Sequence, residues 1–140
     1  NPVWPMPGAA AAVRSWRARG RLCGLISNAQ FYTPLTLSAF RGMGGPARWA
    51  PDLCAWSYVE RRAKPGRGLF ETIRTALRRR GIAPAEALYV GNDLIKDIRP
   101  ARAVGFRTVL FAGDAGSLRL GDGDPAEADA VVTDWRQLRV

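Results

Sequence analysis

Apolar positions along the chain switch repeatedly between helical and strand spacing. From Pro7-Gly8 to about Arg19, Ala12, Val13 and Trp16 recur on one helical face, and Gly20 stops the pattern. Leu22–Ser27 (LCGLIS) is then a continuous apolar run, as expected of a parallel strand covered on both faces. Thr33-Pro34 predicts an N-cap and an N1 proline for a helix through about Arg41. A Gly/Pro-rich loop over 42–52 leads to a short strand, Leu53–Tyr58. Leu69, Ile73 and Leu77 share one face of a helix from about Gly68 to Arg80, with Gly81 past its end. Ala87–Val90 reads as a strand, Asp97–Val104 as a helix ended by Gly105, and Phe106–Phe111 as another strand. After a polar loop, Ala130–Val132 forms a last short edge strand.

This alternation predicts an α/β fold, a Rossmann-like doubly wound parallel sheet in a single domain over 1–140. Such sheets bind ligands at the carboxyl ends of their strands. The strand ends of interest are therefore Ser27-Asn28, Tyr58 and Gly91-Asn92-Asp93.

Composition narrows the chemistry. The sequence holds no histidine, which removes Ser-His-Asp and Cys-His nucleophile pairs and imidazole metal sites together. Cys23 and Cys54 both lie in apolar runs and read as buried reduced thiols; two cysteines make no disulfide framework. A CxxxxxR phosphatase loop is excluded, since the sixth residue after Cys54 is Glu60 and after Cys23 is Ala29. Any catalysis must use carboxylates, Lys, Ser/Thr and a hard metal ion. The net charge of +9 raises a nucleic-acid reading, but the basic residues are spread along the chain as a solvated surface. The densest group, Arg78-Arg79-Arg80, closes a helix, where cations complement the dipole. Nineteen of the basic residues are Arg and only two are Lys, which singles out each Lys. No segment approaches the ~18 consecutive apolar residues of a membrane span, and no signal-peptide pattern is present, so a cytoplasmic protein is expected.

Three strand-end features fit together. Ser27-Asn28 offers a hydroxyl and backbone amides after the first strand, although a Ser in a turn commonly does no more than cap it. Lys64 precedes Pro65, which places it in extended geometry just ahead of a helix start that favours anions. In YVGNDLIKDIRP, residues 89–100, Asn92, Asp93 and Asp97 bring to the third strand end the oxygen ligands that Mg²⁺ prefers. Asp97 also suits a helix's first turn without any metal. Phosphate donors, a lysine and a magnesium site on adjacent strand ends describe a phosphoryl-transfer pocket.

At these residues the sequence resembles a known family. LCGLISN, RRAKPGRGLF and ALYVGNDLIKDIRPARAVGF are similar, in order and spacing, to the second, third and fourth motifs of the haloacid dehalogenase-like (HAD) hydrolases. The resemblance covers essentially the whole chain. It implies that Ser27, with Asn28, contacts a transferring phosphoryl group, that Lys64 stabilises its charge, and that acids of GNDLIKD hold Mg²⁺ or orient Lys64. The family places Asp directly after the motif's Gly, where this chain has Asn92; either the Asn92 amide oxygen or Asp93 would serve. The first motif, a DxD that carries the nucleophile, is absent. Asp122 and Asp124 (GDGDP) have its spacing but follow a polar loop and read as a turn. The chain is thus expected to be the C-terminal part of a hydrolase, lacking the central nucleophile strand and the cap, and inactive alone. An open slot or a collapsed sheet is expected between Leu22–Ser27 and Ala87–Val90.

The resemblance implies a Mg²⁺-dependent phosphatase working through an aspartyl-phosphate on a small phosphorylated substrate, without nucleic-acid or membrane partners. The competing reading is a non-catalytic domain of the same fold that binds phosphate, metal or a protein partner.

Overall fold

The computed structural model describes residues 5–40 and 49–139. Its elements, in chain order, are α1 (Ala9–Ala18), β1 (Leu25–Ser27), α2 (Thr33–Ala39), β2 (Cys54–Trp56), a single helical turn α3 (Ser57–Glu60), α4 (Gly68–Arg79), β3 (Leu88–Gly91), α5 (Arg99–Ala103), β4 (Arg107–Phe111) and β5 (Ala130–Val132). A π-helical turn, Leu94–Ile98, leads directly into α5. The end of the expected 33–41 helix and most of the expected 42–52 loop lie outside the described residues.

All strand pairs are parallel, as the alternation predicts. They form two ladders, β1–β2 and β3–β4–β5, and among the described residues no ladder joins β1 to β3. The sequence places its missing strand between β1 and β3, and those two strands fall in separate ladders.

One core nevertheless spans both ladders, because α4 lies against each of them. Leu69, Phe70, Ile73 and Leu77 of α4 are buried with Leu53 and Ala55 from the β2 side and with Ala101, Val104 and Phe106 from the β3–β5 side. Leu69 and Phe70 are fully buried, and each such side chain contributes about 1.5–3 kcal/mol of transfer free energy. The strand period sorts β4 between two layers. Leu110 packs with Leu94 and Ile98, while Val109 and Phe111 pack with Val132, Met6, Trp135 and Leu138. Phe111 stacks on Trp135, and Trp16 of α1 meets Trp135 edge-on, which closes that layer. Among the described residues, no helix is long and apolar enough to cross a membrane.

Candidate active site

The chemistry gathers around Lys64 at the break. Its backbone is clasped from the β1 side: the Lys64 N–H donates to Asn28 Oδ1 (2.7 Å), and Asn28 Nδ2 donates to the Lys64 carbonyl (3.0 Å). The peptide between Lys64 and Pro65 is cis. The ammonium reaches across to the β3 side, donating to Asp97 Oδ1 at 2.5 Å and to the Tyr89 hydroxyl at 3.3 Å. An ammonium has three donors, so one Lys64 N–H is left over from these contacts. The Lys64 side chain is 14% exposed and that of Asp97 6%, so the pair sits largely out of water, where charge-assisted bonds are strong.

Asp97 is saturated. Its Oδ1 takes Lys64 and the Tyr89 hydroxyl (3.0 Å), and its Oδ2 takes the backbone N–H groups of Asn92 and Asp93, both at 3.2 Å. The π turn makes this possible. Ile98 N donates to the Asp93 carbonyl five residues back, and this wider turn swings Asp97 over the end of β3. Gly91 is the residue beneath it, and a Cβ at position 91 would come 2.4 Å from the Asp97 Cβ. Only glycine allows that approach. Burial, then the charge of Asp97, pushes the Tyr89 hydroxyl's pKa well above the usual tyrosine range, which keeps it a proton donor to Asp97.

The other expected site residues stand as follows. Asp93 caps the π turn: its Oδ1 accepts from Ile95 N (3.0 Å) and Lys96 N (2.7 Å), leaving Oδ2 outside those bonds. Asn92 donates Nδ2 to the Ser117 carbonyl at 2.5 Å, which leaves its Oδ1 open. Ser27 ends β1 half-buried, and among the described residues its hydroxyl makes no hydrogen bond. Asn28, Lys64, Tyr89 and Asp97 are joined directly, and Asn92 and Asp93 join them through their amides. Tyr58 stands apart, exposed on α3 beyond the end of β2. Cys23 and Cys54 are free thiols, half-buried, and burial raises the pKa of each. Asp124 caps a 3₁₀ turn at Pro125 and Asp122 pairs with Arg99 at 3.5 Å, so the GDGDP stretch is a turn. Tyr89 was not among the residues expected at the site; a lone tyrosine in the aliphatic run ALYV was its only signal.

Known proteins are similar to this chain in sequence pattern and in fold. The sequence pattern of the HAD-hydrolase-like family matches residues 61–138, which include Lys64 and the whole GNDLIKD segment. The chain belongs to this family. Its fold is similar to a HAD phosphatase from Thermococcus onnurineus (TM-score 0.73, 23% identity, 95% of this chain and 55% of that one). It is also similar to the putative HAD-hydrolase YfnB from Bacillus subtilis bound to magnesium (0.70, 14%, 94% and 52%). A third likeness is to a 2-haloacid dehalogenase from Pseudomonas syringae pv. Tomato DC3000 (0.67, 23%, 96% and 51%). The chain thus spans about half the length of these HAD-like structures. No curated protein matches the sequence.

Proposed function

We propose that this HAD-like chain carries the phosphoryl-binding half of a phosphatase, whose nucleophilic aspartate arrives on a strand seated in the gap between β1 and β3. The observation that carries this reading is the ammonium of Lys64, held by Asp97 and Tyr89 with one N–H unspent, at the mouth of that gap. A phosphoryl group transferred there develops charge on its peripheral oxygens, and a preoriented ammonium stabilises that charge without reorganising. Asn28 fixes the Lys64 backbone, and Ser27 beside it supplies a hydroxyl that has no partner among the described residues. Asp97 acts as the residue that orients Lys64.

Residues for a divalent cation fit in part. Among the described residues, no group of three or more His, Cys, Asp or Glu side chains is arranged to hold a metal ion. The open oxygens are Asn92 Oδ1 and Asp93 Oδ2, hard neutral and anionic donors of the kind Mg²⁺ takes, with further ligands to come from the nucleophile strand. When bound, Mg²⁺ would offset charge on the substrate phosphate. The solved neighbours include a phosphatase, a magnesium-bound hydrolase and dehalogenases, so the choice of phosphatase rests on these oxygen donors.

Turnover by the full-length protein decides it. We expect Mg²⁺-dependent hydrolysis of a generic aryl phosphate, falling about 10²–10³-fold in Lys64→Ala. Halide release from 2-chloropropionate without added metal, and no phosphate release, would instead make the protein a dehalogenase.

A further inference from the structure

Resting on the magnesium reading above, the structure also assigns a reason why position 92 carries an amide. Residues 117–119 run beside 92–94 like a short extra strand. Arg119 N donates to the Asn92 carbonyl (2.9 Å), Leu94 N donates to the Arg119 carbonyl (2.8 Å), and Asp93 and Arg119 are bridge partners. The Asn92 side chain adds one more rung, donating Nδ2 to the Ser117 carbonyl at 2.5 Å.

Only a donor can stand opposite a carbonyl oxygen, so the contact fixes which amide atom faces Ser117. The strap has little freedom to turn that carbonyl away. Ser117 N and Leu118 N both donate to the Asp114 carbonyl, Asp114 Oδ1 accepts from Gly116 N, and Arg119 Nη1 bonds the carbonyls of Gly116 and Leu118. A carboxylate at position 92 would set an anionic oxygen against the Ser117 carbonyl, a repulsive mismatch in a part-buried setting.

We propose that the 114–119 strap makes position 92 amide-specific. Asn92 then presents a neutral oxygen to the cation, and the site holds one negative charge fewer than a carboxylate would bring. Asp97 does not make up the difference, since its charge is balanced by Lys64.

Two measurements on the full-length protein test this, with Asn92→Asp and Asn92→Ala. Amide hydrogen exchange at Leu94 and Arg119 reads the strap, and calorimetric titration with Mg²⁺ alone reads the site. We expect exchange to be slowest in the wild type, faster in Asn92→Ala, which loses a rung, and faster by about tenfold or more in Asn92→Asp, which adds repulsion. We expect Mg²⁺ to bind about tenfold more weakly to Asn92→Ala, and Asn92→Asp to gain less than about tenfold despite its added charge. Asn92→Asp with wild-type protection, or with an intact strap and Mg²⁺ affinity raised more than about tenfold, would overturn the proposal. If the wild type binds no Mg²⁺ at millimolar concentration, the phosphatase reading fails, and the exchange ranking alone decides the amide specificity of the strap.

Discussion

At the end of β3 the polar groups are tied to one another within nine residues, Tyr89 to Asp97, whereas the end of β1 is held by contacts that cross long stretches of chain. On the β3 side, Asp97 is 4% exposed and takes four hydrogen bonds, three of them from Tyr89, Asn92 and Asp93. On the β1 side, the three-residue strand is half-buried throughout, and the segment that follows exposes Phe31 and Leu35 to 73% and 69%. Its anchors are the Asn28 clasp on Lys64, 36 residues away, and the hydrogen bonds exchanged between Ala29 and Ser57, 28 residues away. The difference shows how this fold divides its labour. Local sequence prebuilds the acceptor that orients Lys64, while placing the lysine itself depends on tertiary closure across the break. Lys64 is clasped from both sides.

If that division is right, the largest loss should come from the β3 side. Asp97→Ala leaves a largely buried ammonium, a buried phenol and two amides without their acceptor. Breaking one partner of a buried pair costs about 3–5 kcal/mol, so the urea midpoint should fall steeply. A loss below about 1 kcal/mol would mean that water already serves these donors.

Gly91→Ala should come next. The added Cβ meets Asp97 where neither backbone can yield without breaking the π turn, and overpacking of this kind costs about 1–3 kcal/mol. Double-mutant analysis sharpens the point. Combined with Asp97→Gly, the alanine should cost much less, because the atoms it strikes are gone. Additive losses would place the strain somewhere other than Asp97.

How legible this was in the sequence follows from the same contrast. The strands were visible because β3 and β4 are apolar runs, β4 buried on both faces and β3 only half-buried, and α4 because Leu69, Ile73 and Leu77 repeat at helical spacing. Boundaries shifted where tertiary pairing, not hydrophobicity, set them. The LCGLIS run begins at Leu22, but β1 starts only at Leu25, where its partner Cys54 begins, and Leu22 is left 54% exposed. The 53–58 run is strand only to Trp56, since Ser57–Glu60 turns helical. Thr33 is the first residue of its helix and not the cap; its hydroxyl accepts from Gln30 N instead. At the site, residue types in GNDLIKD announced oxygen chemistry, but not which oxygen does what. Asp93 as a cap, Asp97 as an acceptor beneath the lysine, and the 114–119 strap on Asn92 all depend on a π turn and a loop pairing that leave no periodic trace.

A smaller effect is expected on the β1 side. Asn28→Ala removes two hydrogen bonds to the Lys64 backbone in a solvent-accessible setting, where water can replace them, so about 0.5–1.5 kcal/mol is lost. Its catalytic cost should exceed its stability cost. In the full-length protein, turnover should drop while Asn28→Asp, which keeps the acceptor for Lys64 N, retains more of it. Equal activity in the two variants would show that the clasp does not position Lys64.

The smallest effect belongs to Asp122, and it tests the whole comparison. Asp122 and Asp124 are the chain's only two aspartates at DxD spacing, so if the nucleophile lay within residues 1–140 it would be expected there. The structure puts Asp122 on a turn with its side chain 85% exposed, and its pairing with Arg99 at 3.5 Å is long and shared with Glu127, which bonds Arg99 at 2.8 Å. An exposed, redundant ion pair contributes little. Asp122→Asn in the full-length protein should therefore leave both the urea midpoint and phosphate release unchanged. An aspartate that attacks phosphorus cannot be replaced by an amide, which lacks the charge to displace the leaving oxygen. If Asp122→Asn abolished turnover with the fold intact, the gap between β1 and β3 would no longer be where the nucleophile enters, and Lys64 would have to serve a different reaction centre.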